Sequence, residues 1–315
     1  MKRITTLMID AVFRFSGKLG YFVFFISGWR FLSYMGRVIG RVIYFYNKRA
    51  RHRMKDELRL LFGNRFDEEK IEYITQMSFK NYYERQVETV FFGAMNKKRI
   101  KCLMTVEGIE NLDSALSKGK GVILLLSHFG SFLLPLPFLG HMGYKVNQLV
   151  GKQIHGSIIA ERLWVWRKKE ADRLPINFMQ ADKFLRPVYK ALKDNEIVAI
   201  AFDGRDSSKW VTTNFFERKA LFSPGPFELA KRTGATIIPT FVIRTTRGRH
   251  RLILEPGMEL SNQRDEESAL NDDTERFAQI FSHYIARYPC HFAMVLYKVR
   301  KIEMDGVHDP LYAEV

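Results

Sequence analysis

The sequence predicts an α/β fold: one domain with a central, mostly parallel sheet flanked by helices, plus an N-terminal membrane-associated helix. Three observations carry this. Short, continuous apolar runs such as GVILLLS (121–127) and EIVAIAF (196–202) have the texture of strands buried on both faces. They alternate with helical stretches, which is the pattern of a layered α/β domain. Residues 1–55 hold twelve Lys+Arg against one acid, whereas the other 260 residues hold 38 against 33, so the formal +16 belongs chiefly to the N-terminus. At 46% hydrophobic and 27% charged, 315 residues can bury a sizeable core, which excludes a disordered or fibrous chain. Two cysteines, Cys102 and Cys290, cannot build a disulfide framework and lack zinc-ligand spacing, which suits a reduced compartment. We divide the chain into a basic, apolar segment (1–55) and the α/β domain (56–315).

The N-terminal segment is dense in Phe, Tyr and Ile over residues 19–46, yet its longest uncharged run is the eleven residues between Lys18 and Arg30. A spanning helix needs about 20 apolar residues, and no small-residue cleavage site follows to make a secretory signal. On a helix Arg30, Arg37 and Arg41 fall within about 40° of one another, with aromatics around the rest. This fits a helix lying in the membrane interface, guanidinium groups at anionic headgroups, with the basic run NKRARHRMK (47–55) reinforcing it. A core helix followed by a solvated basic loop is the plain alternative. A nucleic-acid-binding arm is disfavoured, because no reading motif accompanies the charge.

Residues 56–100 read as helix. After the strand at 121–127 come KVNQLV (145–150) as the next strand, a helical stretch over 181–193, and the strand 196–202. PFELAKRT (226–233) reads as a helix feeding ATIIPTFVIR (235–244) and then RLILEP (251–256). Phe277, Ile280, Phe281, Tyr284 and Ile285 make one helical face, and HFAMVLYKV is expected to close the chain as a strand.

His128 follows the first buried run, in SHFGSFLLPLP, with Gly130 permitting a sharp turn. The carboxyl end of a buried strand is where α/β folds place ligand chemistry, and a histidine there can act as a general base on a hydroxyl. A structural histidine satisfied by backbone explains the residue equally well.

Three blocks, SHFGSFLLP, ALKDNEIVAIAFDGRD and NFFERKALFSPGPFELAKRTGATIIPTFV, together with RYPCHFAMVLYKVRK, resemble the lipid A biosynthesis (lauroyl/myristoyl) acyltransferase family of the lysophospholipid acyltransferase superfamily. The resemblance covers most of 115–300. Its most specific part is Phe215 and Phe216, the Ser223-Pro224-Gly225 turn, and Thr233-Gly234-Ala235 before a strand with Pro239. It implies a glycerol-3-phosphate acyltransferase-like fold and transfer of a fatty acyl group from an acyl thioester to a hydroxyl of a lipid or glycolipid. The donor is acyl carrier protein or CoA, acting as co-substrate with no further cofactor. The implied place is the cytoplasmic face of the bacterial inner membrane, peripheral or held by a single anchor.

In that family an acid stands five residues after the histidine. Here the fifth residue is Leu133, Leu134 follows it, and no acid occurs between Asp113 and Glu161. His250 and Glu255 have the spacing, but an odd offset along a strand sends them to opposite faces. His52 and Glu57 would stand about 140° apart on a helix. A distant acid is the remaining possibility: the resemblance places a family acid at Asp203, at the end of the strand 196–202, and parallel neighbouring strands would bring it to the sheet edge that carries His128; capping its loop or pairing with Arg205 is the plain alternative. The expected catalytic residues are therefore His128 and Asp203.

By the same resemblance Gly130, Ser131, Gly204, Arg205, Ser223, Pro224 and Gly225 are expected to bind substrate. Arg205 would meet a headgroup or carrier phosphate, and amides at the helix start after Ser223 would meet an anion or oxyanion. Ser131 is a weaker candidate nucleophile beside His128. Trp164, Trp166 and Arg167, with Lys168 and Lys169, are expected on a membrane-facing element, and residues 131–140 either line an acyl tunnel or belong to the core. The partners expected are a membrane surface with anionic lipids, the acyl thioester and the lipid acceptor, and no nucleic acid. A catalytically silent lipid- or carrier-binding relative is the alternative that Leu133 invites.

Overall fold

Runs of Ile, Val and Leu bounded by glycine and polar residues extend rather than coil, and a computed structural model joins them into one seven-stranded sheet. It describes residues 28–151, 158–180, 185–204, 207–216, 218–246, 248–304 and Leu311. The strands are β1 Met104–Glu107, β2 Val122–Leu126, β3 Val146–Val150, β4 Asn177–Gln180, β5 Ile197–Ala201, β8 Thr236–Arg244 and β9 His250–Leu254. Their order is β1-β9-β8-β2-β5-β3-β4, and every neighbouring pair is parallel except β8 with β9. A separate antiparallel hairpin, β6 Val211–Phe215 with β7 Arg218–Phe222, packs on the helix Glu266–Arg287.

The strands read from the sequence at 121–127, 145–150, 196–202, 235–244 and 251–256 are β2, β3, β5, β8 and β9. β1, β4 and the hairpin were not legible there. One expectation is overturned: HFAMVLYKV is not a closing strand but part of a helix, Ala293–Met304. Phe292 to Leu296 are all buried, and an apolar run buried on every side has no period that separates strand from helix. Of the expected helix at 181–193 the structure shows Arg186–Lys193; residues 181–184 lie outside the described part.

Alternation along the strands divides the interior into two apolar layers. Ile123, Leu125, Val198, Phe202, Ile237 and Phe241 face one, and Val122, Leu124, Leu126, Ala199, Ile238 and Val242 face the other. The helices that close these layers are α1 (28–46), α2 Lys48–Phe62, α3 Glu68–Val90, α4 Lys97–Leu103, α5 Ile109–Ser117, α6 Pro135–Met142, α7 Ile158–Ala171, α8 Arg186–Lys193, α9 Gly225–Thr233, α10 Glu266–Arg287 and α11 Ala293–Met304. No helix among the described residues is long and apolar enough to cross a membrane.

α1 is apolar on two sides. Its inner side carries Trp29, Leu32, Gly36, Gly40 and Tyr44. A Cβ on Gly36 would stand 2.5 Å from the Cα of Glu84, and one on Gly40 2.7 Å from the Cα of Lys80. Only glycine lets α1 lie this close on α3. The outer side exposes Phe31, Tyr34, Met35, Val38, Val42 and Phe45 at helical spacing. The expected arginine stripe runs along the boundary between the two, with one departure: Arg37 turns inward and its Nε donates to the buried Glu84 at 3.1 Å. Residues 19–27 of the expected interfacial helix lie outside the described part.

Candidate active site

β2 and β5 pair in parallel with Leu126 opposite Ala201, so each strand releases its chain at the same height. Two residues further on stand His128 and Asp203. The amide of His128 donates to both carboxylate oxygens of Asp203 at 3.0 Å, and Nδ1 of the ring lies 3.0 Å from Oδ1. Asp203 is 4% exposed and the His128 side chain 40%. A carboxylate only accepts, so Nδ1 carries the proton and the lone pair is left on Nε2, the nitrogen free to meet a ligand. Burial pushes the Asp203 carboxyl up, but the His128 charge and the hydrogen bonds from its ring and backbone outweigh this and hold it below the usual carboxylate range. Its contribution to stability is therefore present at neutral pH and is lost only as pH falls through that lowered value.

Leu133, where an acid was expected, packs against the second apolar layer, and Leu134 is buried within it. Residues 131–134 form a turn, closed by the Leu134 amide on the Ser131 carbonyl at 2.9 Å, that leads into α6. That turn lays position 133 against the apolar layer, where an acid would be unfavourable. Leu134, Leu136, Phe138 and Leu139 likewise fill the core rather than a tunnel.

The backbone after His128 is fixed by Gly130, whose φ of +57° is reached cheaply only without a side chain; a Cβ there would meet the Val242 carbonyl at 2.0 Å. Gly130 donates its amide to the His291 carbonyl at 3.1 Å and accepts from Arg85 Nη1 at 3.0 Å. Ser131 is not at a substrate face. It is 1% exposed, donates to Glu88 Oε2 at 3.0 Å and accepts from Arg244 Nη2 at 2.7 Å. A hydroxyl so held is unavailable as a nucleophile.

Those partners belong to a buried ionic network that the sequence did not disclose. Arg244, at the carboxyl end of β8, meets Glu88 through two hydrogen bonds, 2.6 and 2.8 Å, and Glu84 at 2.8 Å. Glu84 also accepts from Ser33 and Arg37 of α1. His250, opposite Arg244 at the start of β9, brings Nε2 within 3.2 Å of Glu88. Burial pushes the Glu88 carboxyl up, yet Arg244 and His250 outweigh that and hold it well below the usual carboxylate range. The single sequence trace of this network is the i, i+4 spacing of Glu84 and Glu88, which reads equally as a solvated helix face.

His291 stacks on Phe129, and its Nε2 accepts the Arg244 amide at 2.9 Å. Burial, then Arg244 and His250, push the imidazole down to about 3. The sign of the consequence is fixed. Between the ordinary value of 6.5 and about 3 the unfolded chain binds the proton and the native chain does not, so stability is complete above 6.5 and declines as pH falls. His291→Gln, which keeps an acceptor for the Arg244 amide, should flatten the loss of stability across that interval in urea unfolding measured at successive pH values.

The other predicted residues are placed less favourably. Gly204 follows Asp203 at the strand end, half-buried. Arg205 lies outside the described residues. Ser223 and Pro224 precede α9, which Gly225 begins, but the amides of this turn are largely spoken for. Gly225 donates to Ser223 Oγ at 3.2 Å, Phe227 to the Pro224 carbonyl at 2.9 Å, and Pro226 has no N–H. Ser223 Oγ is itself 2.8 Å from Ser207 Oγ. Trp166 is not turned to a membrane either: its Nε1 donates to the Val90 carbonyl at 3.1 Å, tying α7 to α3.

A half-exposed imidazole, held in one tautomer by a buried carboxylate at the carboxyl edge of an α/β sheet, is an arrangement that can take up a proton. The sequence profile of bacterial lipid A biosynthesis acyltransferases matches residues 3–301, and the chain belongs to that family; it is an acyltransferase. It is 22% identical over 291 residues to a lipid A biosynthesis acyltransferase of Haemophilus influenzae, covering 84% of this chain and 89% of the relative. It is 26% identical over 232 residues to the lipid A biosynthesis palmitoleoyltransferase of Escherichia coli, covering 72% and 73%. A phosphatidylinositol mannoside acyltransferase of Mycobacterium tuberculosis is 23% identical over 166 residues, 52% of each chain. An acyltransferase acting on a lipid or glycolipid is thereby supported.

Proposed function

We propose that the protein moves a fatty acyl group from a thioester of acyl carrier protein or CoA to a hydroxyl of a lipid or glycolipid at the cytoplasmic face of the bacterial inner membrane, with His128 as general base and Asp203 as its orienting carboxylate. The carrying observation is the 3.0 Å contact of Nδ1 with Asp203, which leaves the lone pair on Nε2 of a side chain that is 40% exposed. Nε2 takes the proton of the acceptor hydroxyl as its oxygen attacks the thioester carbonyl carbon. Collapse of the tetrahedral oxyanion breaks the C–S bond, and the imidazolium returns the proton to the departing thiolate. Asp203 stabilises the imidazolium between those steps. Leu133 on its own no longer argues for a silent relative, because another carboxylate stands at the histidine.

The test is acyl transfer by the purified full chain and by His128→Ala, with acyl-CoA or acyl carrier protein as donor and lipid A precursor or phospholipid acceptors. The wild type turns over and His128→Ala loses activity by at least about 10³-fold. Equal rates would remove His128 from the mechanism.

The outer face of α1 supports membrane association. Phe31, Met35, Val38 and Val42 are 36–47% exposed, so moving what remains in water into lipid is worth roughly 1 kcal/mol per side chain, and Arg30 and Arg41 at the boundary suit anionic headgroups. In flotation with vesicles containing phosphatidylglycerol, Val38→Asp/Val42→Asp should weaken binding by about tenfold or more, since each aspartate also carries a desolvation cost. Undiminished flotation would rule out this face as the membrane contact.

A further inference from the structure

Close to His128 the chain concentrates cations that its own carboxylates leave uncompensated. The Phe132 ring stands 4.8 Å from the His128 ring, and the guanidinium carbon of Arg85 lies 5.3 Å from the same Phe132 ring. Arg85 also sits 5.2 Å from the Tyr82 ring, and Lys298 Nζ approaches the same ring at 4.5 Å. Arg167 of α7 reaches this cluster from its own side, donating to Gln86 Oε1 at 2.6 Å, and its buried Nε has no hydrogen-bond partner. Arg85 spends one donor on the Gly130 carbonyl. Among the described residues neither arginine has a carboxylate in salt-bridge contact. Glu88, whose field does reach Arg85, is committed to Arg244 by two hydrogen bonds. Burial lowers the pKa of both guanidinium groups, and they repel each other.

A protein that buries a guanidinium commonly gives it a carboxylate, as this one does for Arg244, whereas Arg85 and Arg167, both half-buried, have none in contact among the described residues. Leaving a pair uncompensated beside the reacting imidazole is what a site does when the anion arrives with a substrate. We propose that Arg85 and Arg167 bind a phosphate of one of the two substrates, one ring-width from His128. The inference rests on the acyl-transfer reading for which substrate brings the phosphate, though not for the site itself. The planar guanidinium of Arg85 keeps donors beyond the one bound to Gly130, and the unpartnered Nε of Arg167 supplies another. Two chemistries qualify: a phosphate ester on the lipid acceptor, or the phosphodiester of a phosphopantetheine thioester. Both present oxygens with the spacing a guanidinium fork matches.

The experiment uses the full chain in detergent and has two independent arms. In the first, calorimetric titration with inorganic pyrophosphate requires no turnover. Wild type binds, Arg85→Gln and Arg167→Gln each bind at least about tenfold more weakly, and Lys190→Gln, an exposed cation paired with Asp194, binds as wild type does. In the second, KM is compared for acceptors with and without a phosphate ester, and for acyl-CoA against an acyl thioester of N-acetylcysteamine. Arg85→Gln raises KM far more for the phosphate-bearing member of one pair than for its phosphate-free analogue, with the loss on KM rather than kcat, and that pair identifies the source. Should Arg85→Gln fail to fold because Gly130 loses a donor, Arg167→Gln decides, since its bonds are to Gln86 alone. No pyrophosphate binding by wild type, equal binding by the variants, or an equal KM rise for phosphate-free substrates would overturn the proposal. An inactive wild type that still binds pyrophosphate through Arg85 would refute the acyl-transfer reading and leave the anion site standing.

Discussion

Asp203→Asn is expected to lower kcat for acyl transfer by on the order of 10⁴-fold, with the fold retained. The carboxylate accepts from both the amide and Nδ1 of His128, and so keeps the ring lone pair on Nε2. An asparagine in the same place can turn its NH₂ toward Nδ1, which puts the proton on Nε2 and removes the base. It also withdraws the negative charge that stabilises the imidazolium during attack. Single-turnover rates, with circular dichroism to confirm folding, measure the effect. The double variant His128→Ala/Asp203→Asn should be scarcely slower than His128→Ala, because residues that act as one unit lose their effect together. Additive losses would mean that Asp203 acts on the substrate and not through His128.

The second large effect is on stability. Glu88→Ala leaves Arg244 buried with Glu84 alone, removes the acceptor of Ser131, and takes the carboxylate from beside His250. Breaking a buried pair by deleting one partner costs about 3–5 kcal/mol, because the remaining charge stays out of water. The midpoint of urea unfolding should fall accordingly. Replacing Arg244 and Glu88 together by Met and Leu should cost markedly less, since no orphan charge remains. An equal loss in both variants would show that packing at β8, and not charge compensation, is what the network supplies. The network also joins α1 to the turn after His128, through Ser33 and Arg37 on Glu84 and Ser131 on Glu88.

Much of the scaffold was legible because its signals are local. β2, β5 and β8 are runs of Ile, Val and Leu bounded by glycine, and a strand buried on both faces needs nothing else. β1 and β4 are four residues each and carry no such run, so only pairing defines them. The segment after His291 failed for a different reason: with Phe292 to Leu296 all buried, helix and strand have the same sequence texture. His128 was conspicuous at a strand end, whereas Ser131 looked like a neighbouring nucleophile only because chain proximity says nothing about which way a turn points its side chains.

The sequence by itself determined an α/β domain with a basic, apolar N-terminal segment, a histidine at the carboxyl end of a buried strand, and the family to which these belong. It also offered Asp203 as a candidate partner, since two parallel strands release their chains at one edge, but left capping of its own loop as an equal reading. What only the tertiary structure decided is everything that depends on register and packing. The pairing of Leu126 with Ala201 sets Asp203 against Nδ1, the turn at 131–134 lays Leu133 against the core, and α3 carries Glu84 and Glu88 to Arg244 while Arg85 has no carboxylate in salt-bridge contact among the described residues. Charges are free in a sequence, and burial alone settles which of them must be compensated.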